Sequence, residues 1–393
     1  MTSSSRHTFH EFFCGGGMVR AGLGPGWKCV FANDICPKKA AAYGCNWGSA
    51  ELRVSDVAAV SPASVPGAAD LSWASFPCQD LSLAGVGGGL GAARSGAFWP
   101  YWRLVERLGA EGRAPRLVVL ENVYGALTSH GGKDFAAIAA ALARGGYRFG
   151  PLIIDAAAFV PQSRPRLFIV AADKRMAVPG GLAADGPLGP WHPASVLKAF
   201  AALTPPLRRR WLWWALPTPP PRRLNLEDIV EEEAEAASWR PPAETERLLG
   251  LMTPVHLDKV RRAQRAGRRI AGALYKRTRQ GQQRAEARFD GLAGCLRTPG
   301  GGSSRQTLLL VDGGHVQSRL FSPRETARLM GLPDTYALPD NPNAAYHLTG
   351  DGVVVPVVRW LADHLLEPLL RHNTALAPRS QVTATPLGER VGP

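Results

Sequence analysis

The sequence predicts an α/β fold built on a doubly wound, mostly parallel sheet, and two observations carry this prediction. Short apolar strands alternate with helical stretches from Thr8 to about Ala172, which is typical of βαβ units. Polar and glycine-rich segments follow these strands, where ligands bind beyond the carboxyl ends of a parallel sheet. The length of 393 residues favours roughly two domains, so we expect a second, smaller domain.

The predicted elements follow one another in a regular order. The strands are HTFHEFF, WKCVFAND, DLSWASF, RLVVLENV and RLFIVAAD, and the helices between them are MVRAGL, PKKAAAYGCN, AFWPYWRLVERLG and DFAAIAAALARGG. The alternation stops near Asp173, and Pro/Gly-rich segments follow around an acidic helix, LEDIVEEEAEAAS, whose glutamates we interpret as a solvated face.

Helical signals return near the end of the chain. Ser322 is predicted to cap a helix in which Pro323 comes first and Glu325 lies three residues after the cap, a capping-box pattern. A final helix, VVVPVVRWLADHLLEPLLR, tolerates Pro356 only near its first turn. We expect this helix to pack back onto the first sheet.

The charge balance favours an anionic partner such as nucleic acid. Lys and Arg number 46 against 32 Asp and Glu, which gives a net charge of +14. The most basic window runs from Lys259 to Arg288 and includes Tyr275. Phosphate and base-edge contact is one interpretation of this window, and a solvated helix is the other. Composition does not separate DNA from RNA.

The cysteines and the apolar segments indicate a soluble protein of the cytoplasm. None of the six cysteines forms a CxxC pair, and the N-terminal segment lacks a long apolar core, so we expect reduced thiols and no structural zinc or other metal. No apolar run approaches the roughly 18 residues that span a bilayer.

The first candidate site is the glycine-rich turn FFCGGGM between the first strand and the first helix. Glycines let a cofactor approach the backbone there, although such a turn is often only a tight bend. Asp34 ends the second strand, where a carboxylate binds ribose hydroxyls. Asp56 is a possible third contact.

Three further segments follow strands. SFPCQD contains Cys78, which is either a nucleophile or a buried packing residue; the loop LSLAGVGGGLGAARSG after it is a mobile lid or a linker. Glu121 directly follows RLVVL and is a substrate contact or a helix cap. Arg164 and Arg166 alternate before LFIV, so both can face one side, with surface cations as the alternative. Their shared placement at strand ends favours one site.

These motifs resemble those of the cytosine-C5 methyltransferases. FFCGGG resembles the S-adenosylmethionine turn, SFPCQ the nucleophile motif, ENV the Glu-Asn-Val motif, and QSRPR the Gln-x-Arg-x-Arg motif. RLFSPRETARLMGLPDTY and GDGVVVPV are similar to the ninth and tenth motifs of the family. The resemblance covers residues 8–172 and 292–370, and the basic window falls where the family keeps its variable target-recognition domain.

The resemblance implies a Rossmann-like class I methyltransferase in four parts. A first catalytic part spans 8–172, a target-recognition domain 173–291, a returning catalytic part 292–372 and a disordered tail 373–393. The implied enzyme is a DNA (cytosine-5-)-methyltransferase that acts on double-stranded DNA as a monomer, in a bacterial or phage context, with a restriction endonuclease as a possible partner. A tRNA cytosine-C5 methyltransferase and a catalytically silent DNA-binding relative are the alternatives.

The resemblance also implies residue roles. Cys78 attacks carbon 6 of cytosine, Glu121 contacts N3 and the amino group, Arg166 contacts O2, and Arg164 supports them. The residues implied for S-adenosylmethionine are Phe13, Gly15, Gly17, Asp34, Ile35, Asp56, Val57, Pro77, Ala97, Asp351 and Val353.

Four positions depart from the family pattern. Glu11 stands for the usual Asp, Met18 for Gly, Asp34 for Glu, and Asp351 for the Asn of a Gly-Asn pair. The Asp351 charge changes cofactor affinity or donor preference in one interpretation, and keeps the same hydrogen bonds in the other.

Overall fold

A seven-stranded sheet forms the centre of the protein. The computed structural model describes residues 7–77, 95–231, 239–279, 281–298 and 305–376. The strand order is β3-β2-β1-β4-β5-β7-β6, and β7 alone runs antiparallel to its neighbours in this sheet. Its strands are β1 (His7–Phe12), β2 (Trp27–Asp34), β3 (Leu52–Val54), β4 (Leu71–Ala74), β5 (Leu117–Val123), β6 (Tyr147–Asp155) and β7 (Pro165–Asp173). The predicted doubly wound, mostly parallel sheet is therefore confirmed.

Helices cover both faces of this sheet. They are α1 (Met18–Leu23), α2 (Pro37–Trp47), α3 (Phe98–Ala110) and α4 (Lys133–Arg144). Apolar side chains of α1 and α2 belong to the core on one face, and those of α3 and α4 to the core on the other. Burial on both faces explains why the strands are almost continuously apolar.

The next segment stays attached to the main sheet. It forms β8 (Ala183–Ala184), α5 (Ala194–Ala202), α6 (Pro205–Arg208) and β9 (Trp213–Trp214). Trp214 Nε1 donates to the carbonyl of Val170 in β7 at 3.0 Å, and the amide of Phe149 in β6 donates to the carbonyl of Arg210 at 2.9 Å. Residues after the predicted boundary at 172/173 thus pack against the seven-stranded sheet.

A separate antiparallel sheet carries most of the basic window. Helices α7 (Pro242–Gly250) and α8 (Pro254–Arg265) precede the strands β10 (Ile270–Arg279), β11 (Gln282–Arg288), β12 (Thr307–Asp312) and β13 (His315–Leu320), in the order β11-β10-β12-β13. The window is therefore one helix and a two-stranded ribbon. Two strands of this sheet come before residue 291 and two come after it, although 291 is the predicted end of the target-recognition domain. The predicted domain limits stay a prediction.

The C-terminal helices return to the first sheet. They are α9 (Pro323–Leu329), α10 (Pro342–Asp351), α11 (Val355–Leu361) and α12 (Glu367–His372), with a π-helical turn, Ala362–Leu366, between the last two. The predicted capping box is present: Ser322 Oγ accepts from the amide of Glu325 at 3.0 Å, and the amide of Ser322 donates to that carboxylate at 2.8 Å. Pro356 lies in the first turn of α11.

The returning helices share the core of β1, β4 and α1, which confirms that they pack back onto the first sheet. The chain remains packed through Asn373, which the sequence assigned to the tail: its side-chain oxygen accepts from the amide of Ala177 at 2.8 Å. The tail from 377 onward, the glycine-rich loop and most of the acidic segment lie outside the described residues. Across the described ranges, no helix is both long and apolar enough to cross a membrane.

Candidate active site

The carboxyl ends of β1, β4 and β5 meet at one edge of the sheet. Phe12 is in register with Ala74, and Ala74 with Leu120. Asn122 Nδ2 donates to the carbonyl of Phe76 at 3.2 Å, which ties the end of β5 to the segment after β4. Parallel neighbours place their carboxyl ends together, so the sequence segments SFP and ENV are adjacent. Cys78 lies outside the described residues.

Glu121 occupies this edge as a buried acid. Its side chain is 8% exposed, and the hydroxyl of Ser75 forms a hydrogen bond with its carboxyl group. Burial raises the pKa of Glu121 above its usual range, although Arg166 and Arg164 oppose the shift. A carboxyl group with a raised pKa keeps its proton more readily and can donate it in a hydrogen bond.

Arg166 is the cation closest to that carboxyl group. Its Nε lies 3.4 Å from Glu121 Oε1, and its side chain is 16% exposed. Nη1 donates to the carbonyl of Pro165 at 3.0 Å. The cation is thus held beside Glu121 and remains partly open, as a contact to a developing negative charge requires.

Arg164, in contrast, is buried and donates to main-chain carbonyls. It is 2% exposed, Nη1 donates to the carbonyl of Leu296 at 2.9 Å, and Nη2 donates to the carbonyls of Gly350 and Gly352, both at 2.8 Å. These contacts join β7 to the segment before the antiparallel strand β12 and to the end of α10. Arg164 is therefore fixed by main-chain carbonyls, and the supporting role that the resemblance implies stays a prediction.

Cys295 is a site residue that sequence reasoning missed. Its Sγ lies 3.4 Å from Arg164 Nη1 and 3.8 Å from Arg166 Nη2. Burial alone would raise the pKa of the thiol, but both guanidinium groups outweigh burial and lower it. The one available signal was its position in GCLRTPGGG, just before a glycine run, which by itself indicates only a turn.

The glycine-rich turn after β1 adopts the backbone that its composition predicts. Phe13, Gly15 and Gly17 all have positive φ angles, of 57°, 55° and 77°. Glycine adopts positive φ angles without strain, whereas the same conformation strains the backbone at Phe13. Such strained residues are common at ligand sites. Three amides of the turn already donate within the protein: Cys14 to the carbonyl of Asn33 at 3.0 Å, Gly15 to Asp34 at 2.8 Å and Gly17 to the carbonyl of Cys14 at 2.8 Å.

Asp34 fixes the turn rather than standing free. One carboxylate oxygen accepts from the amide of Gly15 and the other from the amide of Cys36, both at 2.8 Å. Each oxygen can accept a second hydrogen bond, which leaves capacity for a ribose hydroxyl. Asp56 Oδ1 accepts from the amide of Ala58 at 2.8 Å, and Val57 is buried beside it.

An apolar shelf borders these carboxylates. Ile35 is 63% exposed and Val54 is 50% exposed, and both follow or end neighbouring strands at the same edge. Large apolar side chains exposed side by side commonly mark a ligand surface. The shelf and the two aspartates fit an adenosine group, so the described residues are compatible with S-adenosylmethionine.

Asp351 lies at the end of α10 and is paired. Its Oδ2 is 2.6 Å from Lys39 Nζ in α2, and its other oxygen accepts from the hydroxyl of Thr298. Lys39 therefore neutralises the charge that distinguishes Asp351 from asparagine, a partner that sequence reasoning missed. Val353 is buried in the adjoining core.

Two other departures from the family pattern are accommodated locally. Met18 is buried, and a Cβ on Gly352 would collide with its thioether, so the missing side chain at 352 makes room for Met18. Glu11 is 1% exposed, and burial raises its pKa to about 8. Glu11 is therefore largely protonated at neutral pH.

Two predicted residues frame the gap in the described chain. Pro77 is exposed immediately before it, and Ala97 is half-buried three residues after it, directly before α3. Within the described ranges, no cluster of three or more His, Cys, Asp or Glu side chains forms a metal site.

The fold and the edge of the sheet define a class I α/β methyltransferase. A family model for C-5 cytosine-specific DNA methylases matches residues 7–367, and the chain belongs to that family; it is a DNA (cytosine-5-)-methyltransferase. Membership implies the use of S-adenosylmethionine.

Curated relatives are similar over most of their length. Type II methyltransferase M.HpaII of Haemophilus parainfluenzae is 25% identical, over 93% of this chain and 90% of its own. Type II methyltransferase M.HhaI of Haemophilus parahaemolyticus is 23% identical, over 90% and 92%. Among solved structures, S. pombe Dnmt2 methyltransferase has a TM-score of 0.58 at 19% identity, over 93% of this chain and 99% of its own; this likeness concerns the fold.

Proposed function

We propose that the protein transfers the methyl group of S-adenosylmethionine to carbon 5 of cytosine in specific duplex DNA sequences, through base flipping and a covalent bond between Cys78 and carbon 6. The observation that carries the proposal is the pairing of Glu121 with Arg166 at the strand edge where the segment leading to Cys78 leaves β4. Relatives whose names denote Type II methyltransferases support it.

The chemistry requires a nucleophile because carbon 5 of cytosine is too unreactive to accept a methyl group directly. The Cys78 thiolate adds to carbon 6, and the ring becomes an enamine with a reactive carbon 5. Carbon 5 takes the methyl group from the sulfonium of S-adenosylmethionine and then loses its proton to a base or to water. The electron pair of that C–H bond re-forms the ring double bond and expels Cys78.

The described residues supply the stabilisation that this addition needs. Negative charge develops on the ring when the thiolate adds. A protonated Glu121 donates to N3, and Arg166 attracts the charge at O2. Arg164 acts as a positioning residue, because its buried contacts hold β7 and hence Arg166 in place.

S-adenosylmethionine would occupy the edge between β1, β2 and β3. The turn after β1 would line its methionine end, Asp34 would contact its ribose, and Ile35 with Asp56 its adenine. Its sulfonium supplies the electrophilic methyl group.

A base inside a duplex cannot present carbon 6 to a thiol, so the target must leave the stack at a cost of a few kcal/mol. The basic antiparallel sheet with its ribbon would supply phosphate contacts, and binding is expected to weaken steeply as salt rises.

One experiment tests the reaction and its substrate. The protein and its Cys78→Ala variant are incubated with methyl-labelled S-adenosylmethionine and either duplex DNA or tRNA. We expect label in DNA with the parent and none with the variant.

Label confined to tRNA would establish the alternative tRNA activity instead. Tight DNA binding without transfer would indicate a catalytically silent relative. Transfer that survives Cys78→Ala would contradict the covalent route.

A further inference from the structure

One face of the β10–β11 ribbon is apolar and buried, and the other is polar. Leu274, Ala285 and Ala287 are buried on one face, in a core with Met252 and Val260. Side chains alternate along a strand, so Tyr275, Arg277, Arg284, Glu286 and Arg288 lie on the other face. We call these five residues the outward face. It is polar and at least partly exposed.

Two like charges face each other on the outward face. Arg277 and Arg284 are direct cross-strand partners, and like charges in that relation destabilise a ribbon. Arg277 is 44% exposed, and its Nε is 3.6 Å from Glu286 Oε2. Arg284 donates to Gln282 Oε1 at 2.6 Å. An electron-rich partner would relieve the repulsion between the two cations.

Arg277 is held in a defined orientation. Its guanidinium carbon lies 4.6 Å from the centre of the Tyr275 ring, a cation–π contact. Because the ring already restricts the rotamers of Arg277, the side chain loses less conformational entropy when it binds a partner. This favours a directional, bidentate contact over a non-directional attraction between charges. The same fork geometry matches the O6 and N7 atoms of guanine.

The outward face continues into the candidate active site. Arg288 Nη1 donates to the carbonyl of Ala293 at 3.5 Å, and that carbonyl also accepts from the amide of Ser163 at 3.0 Å. Cys295, two residues further on, contacts both Arg164 and Arg166. The base of the ribbon therefore lies next to the segment that contacts Arg166, the partner of Glu121.

We infer that the outward face enters the major groove beside the target cytosine and that Arg277 and Arg284 read guanine there. A two-stranded ribbon fits the width of that groove, and a bidentate arginine–guanine pair is a common specific contact. The recognised sequence then contains at least one fixed guanine. This inference rests on the proposed function, since it takes duplex DNA as the substrate.

The test uses a library of duplexes with random bases around cytosine. The full-length protein methylates the library, and bisulfite sequencing identifies the modified sites. The variants Arg277→Lys and Arg284→Lys keep the charge but lose the fork. Arg261→Lys is the matched control, because Arg261 is exposed on α8, across the sheet from the outward face.

We expect a fixed guanine in the sites of the parent and of the control. Each ribbon variant is expected to lower the preference at one guanine roughly tenfold or more. Parent sites without a fixed guanine, ribbon variants that keep full preference, or an equal loss in the control would overturn the inference.

A second measurement separates this inference from the proposed function. Duplexes bound by the parent are selected from the same library without S-adenosylmethionine, so no methyl transfer is needed. Guanine enrichment that the ribbon variants lose supports the inference even if the parent transfers no methyl group. Absence of enrichment overturns it even if transfer occurs.

Discussion

Arginine is used differently at the edge of the main sheet and on the β10–β11 ribbon. Arg164 is 2% exposed and donates to three main-chain carbonyls. Arg277 is 44% exposed and rests on an aromatic ring. The hydrogen-bonding capacity of the buried residue is committed to the fold, whereas the exposed residue keeps most of its donors for a partner.

Arg166 is intermediate between these two arginines in its exposure and in its contacts. It is 16% exposed and contacts Glu121, Pro165 and Cys295. Because Arg166 is partly buried, the electrostatic interaction of its guanidinium with the Glu121 carboxyl group is less screened by water. The exposed part of the side chain remains available to a substrate. The predictions below test whether burial, rather than residue type, sets these roles.

The largest effect is expected at Glu121. Glu121→Ala removes the group that stabilises the ring charge, so we expect methyl transfer to fall roughly 10²- to 10⁴-fold, measured with labelled S-adenosylmethionine. Glu121→Gln keeps a hydrogen-bond donor and should lose less. Equal losses in the two variants would argue that the proton of Glu121, and not simply a donor, is required.

A buried ion pair joins the antiparallel sheet to the C-terminal helices. Arg319 in β13 and Glu325 in α9 are 1% and 0% exposed and lie 2.6 Å apart. Glu325→Gln leaves a buried cation without its counter-charge, and we expect a loss of about 3–5 kcal/mol of unfolding free energy in urea titrations. The control is Glu244→Gln, whose carboxylate is 52% exposed and 3.9 Å from Arg240; its loss should stay below about 1 kcal/mol.

Arg164 and Arg166 are expected to separate stability from activity. Arg164→Lys cannot satisfy all of the buried carbonyls, and we expect it to lose about 2 kcal/mol of stability together with activity. Arg166→Lys should lose activity with little change in stability, because Arg166 makes fewer buried contacts. Urea titrations and transfer assays on both variants check this; equal stability losses would contradict the distinction.

The buried acid Glu11 predicts a pH dependence. Its pKa is about 8 in the folded protein against an ordinary 4.5, so the folded state holds a proton that the unfolded state releases between those values. The stability contribution is full below pH 4.5 and is lost as the pH rises towards 8, by up to about 1.4 kcal/mol per pH unit. Urea titrations at several pH values should show this slope in the parent and a weaker slope in Glu11→Gln.

The smallest effects are expected at the pair Lys39–Asp351. Asp351→Asn should change the affinity for S-adenosylmethionine less than tenfold, because Lys39 already neutralises the charge and partly exposed pairs contribute roughly 0–1 kcal/mol. Lys39→Met leaves the carboxylate unpaired and should weaken binding more, and the double variant should recover part of that loss. Calorimetry measures all three. A large change in Asp351→Asn, or a change in the preferred methyl donor, would favour the alternative interpretation of Asp351.

Much of the fold was predictable from the chain alone. Alternation of apolar strands with helical segments indicated the parallel sheet, and the spacing of Ser322, Pro323 and Glu325 indicated the capped helix. These signals are local, because strand alternation and helix capping depend on residues a few positions apart. The antiparallel sheet was not predicted, because the basic window that forms β10 and β11 was interpreted only as a phosphate and base contact or a solvated helix.

The candidate site was predicted to a similar extent. Glu121 and Arg166 meet as their strand-end positions indicated, and Asp34 lies at the turn after β1. Cys78 and the glycine-rich loop remain predictions. Cys295 and Lys39 were missed, because the partners of each lie far away in the sequence.

The sequence by itself determined the class of chemistry, since the residue types after each strand specify a thiol, a carboxyl group and cations in one order. Tertiary structure decided what each group does. It buried Arg164 against three carbonyls, cancelled the charge of Asp351 with Lys39, and placed Arg277 and Arg284 side by side on the outward face. The physical reason is that charge, pKa and hydrogen-bonding capacity depend on burial and neighbours, which long-range packing alone provides.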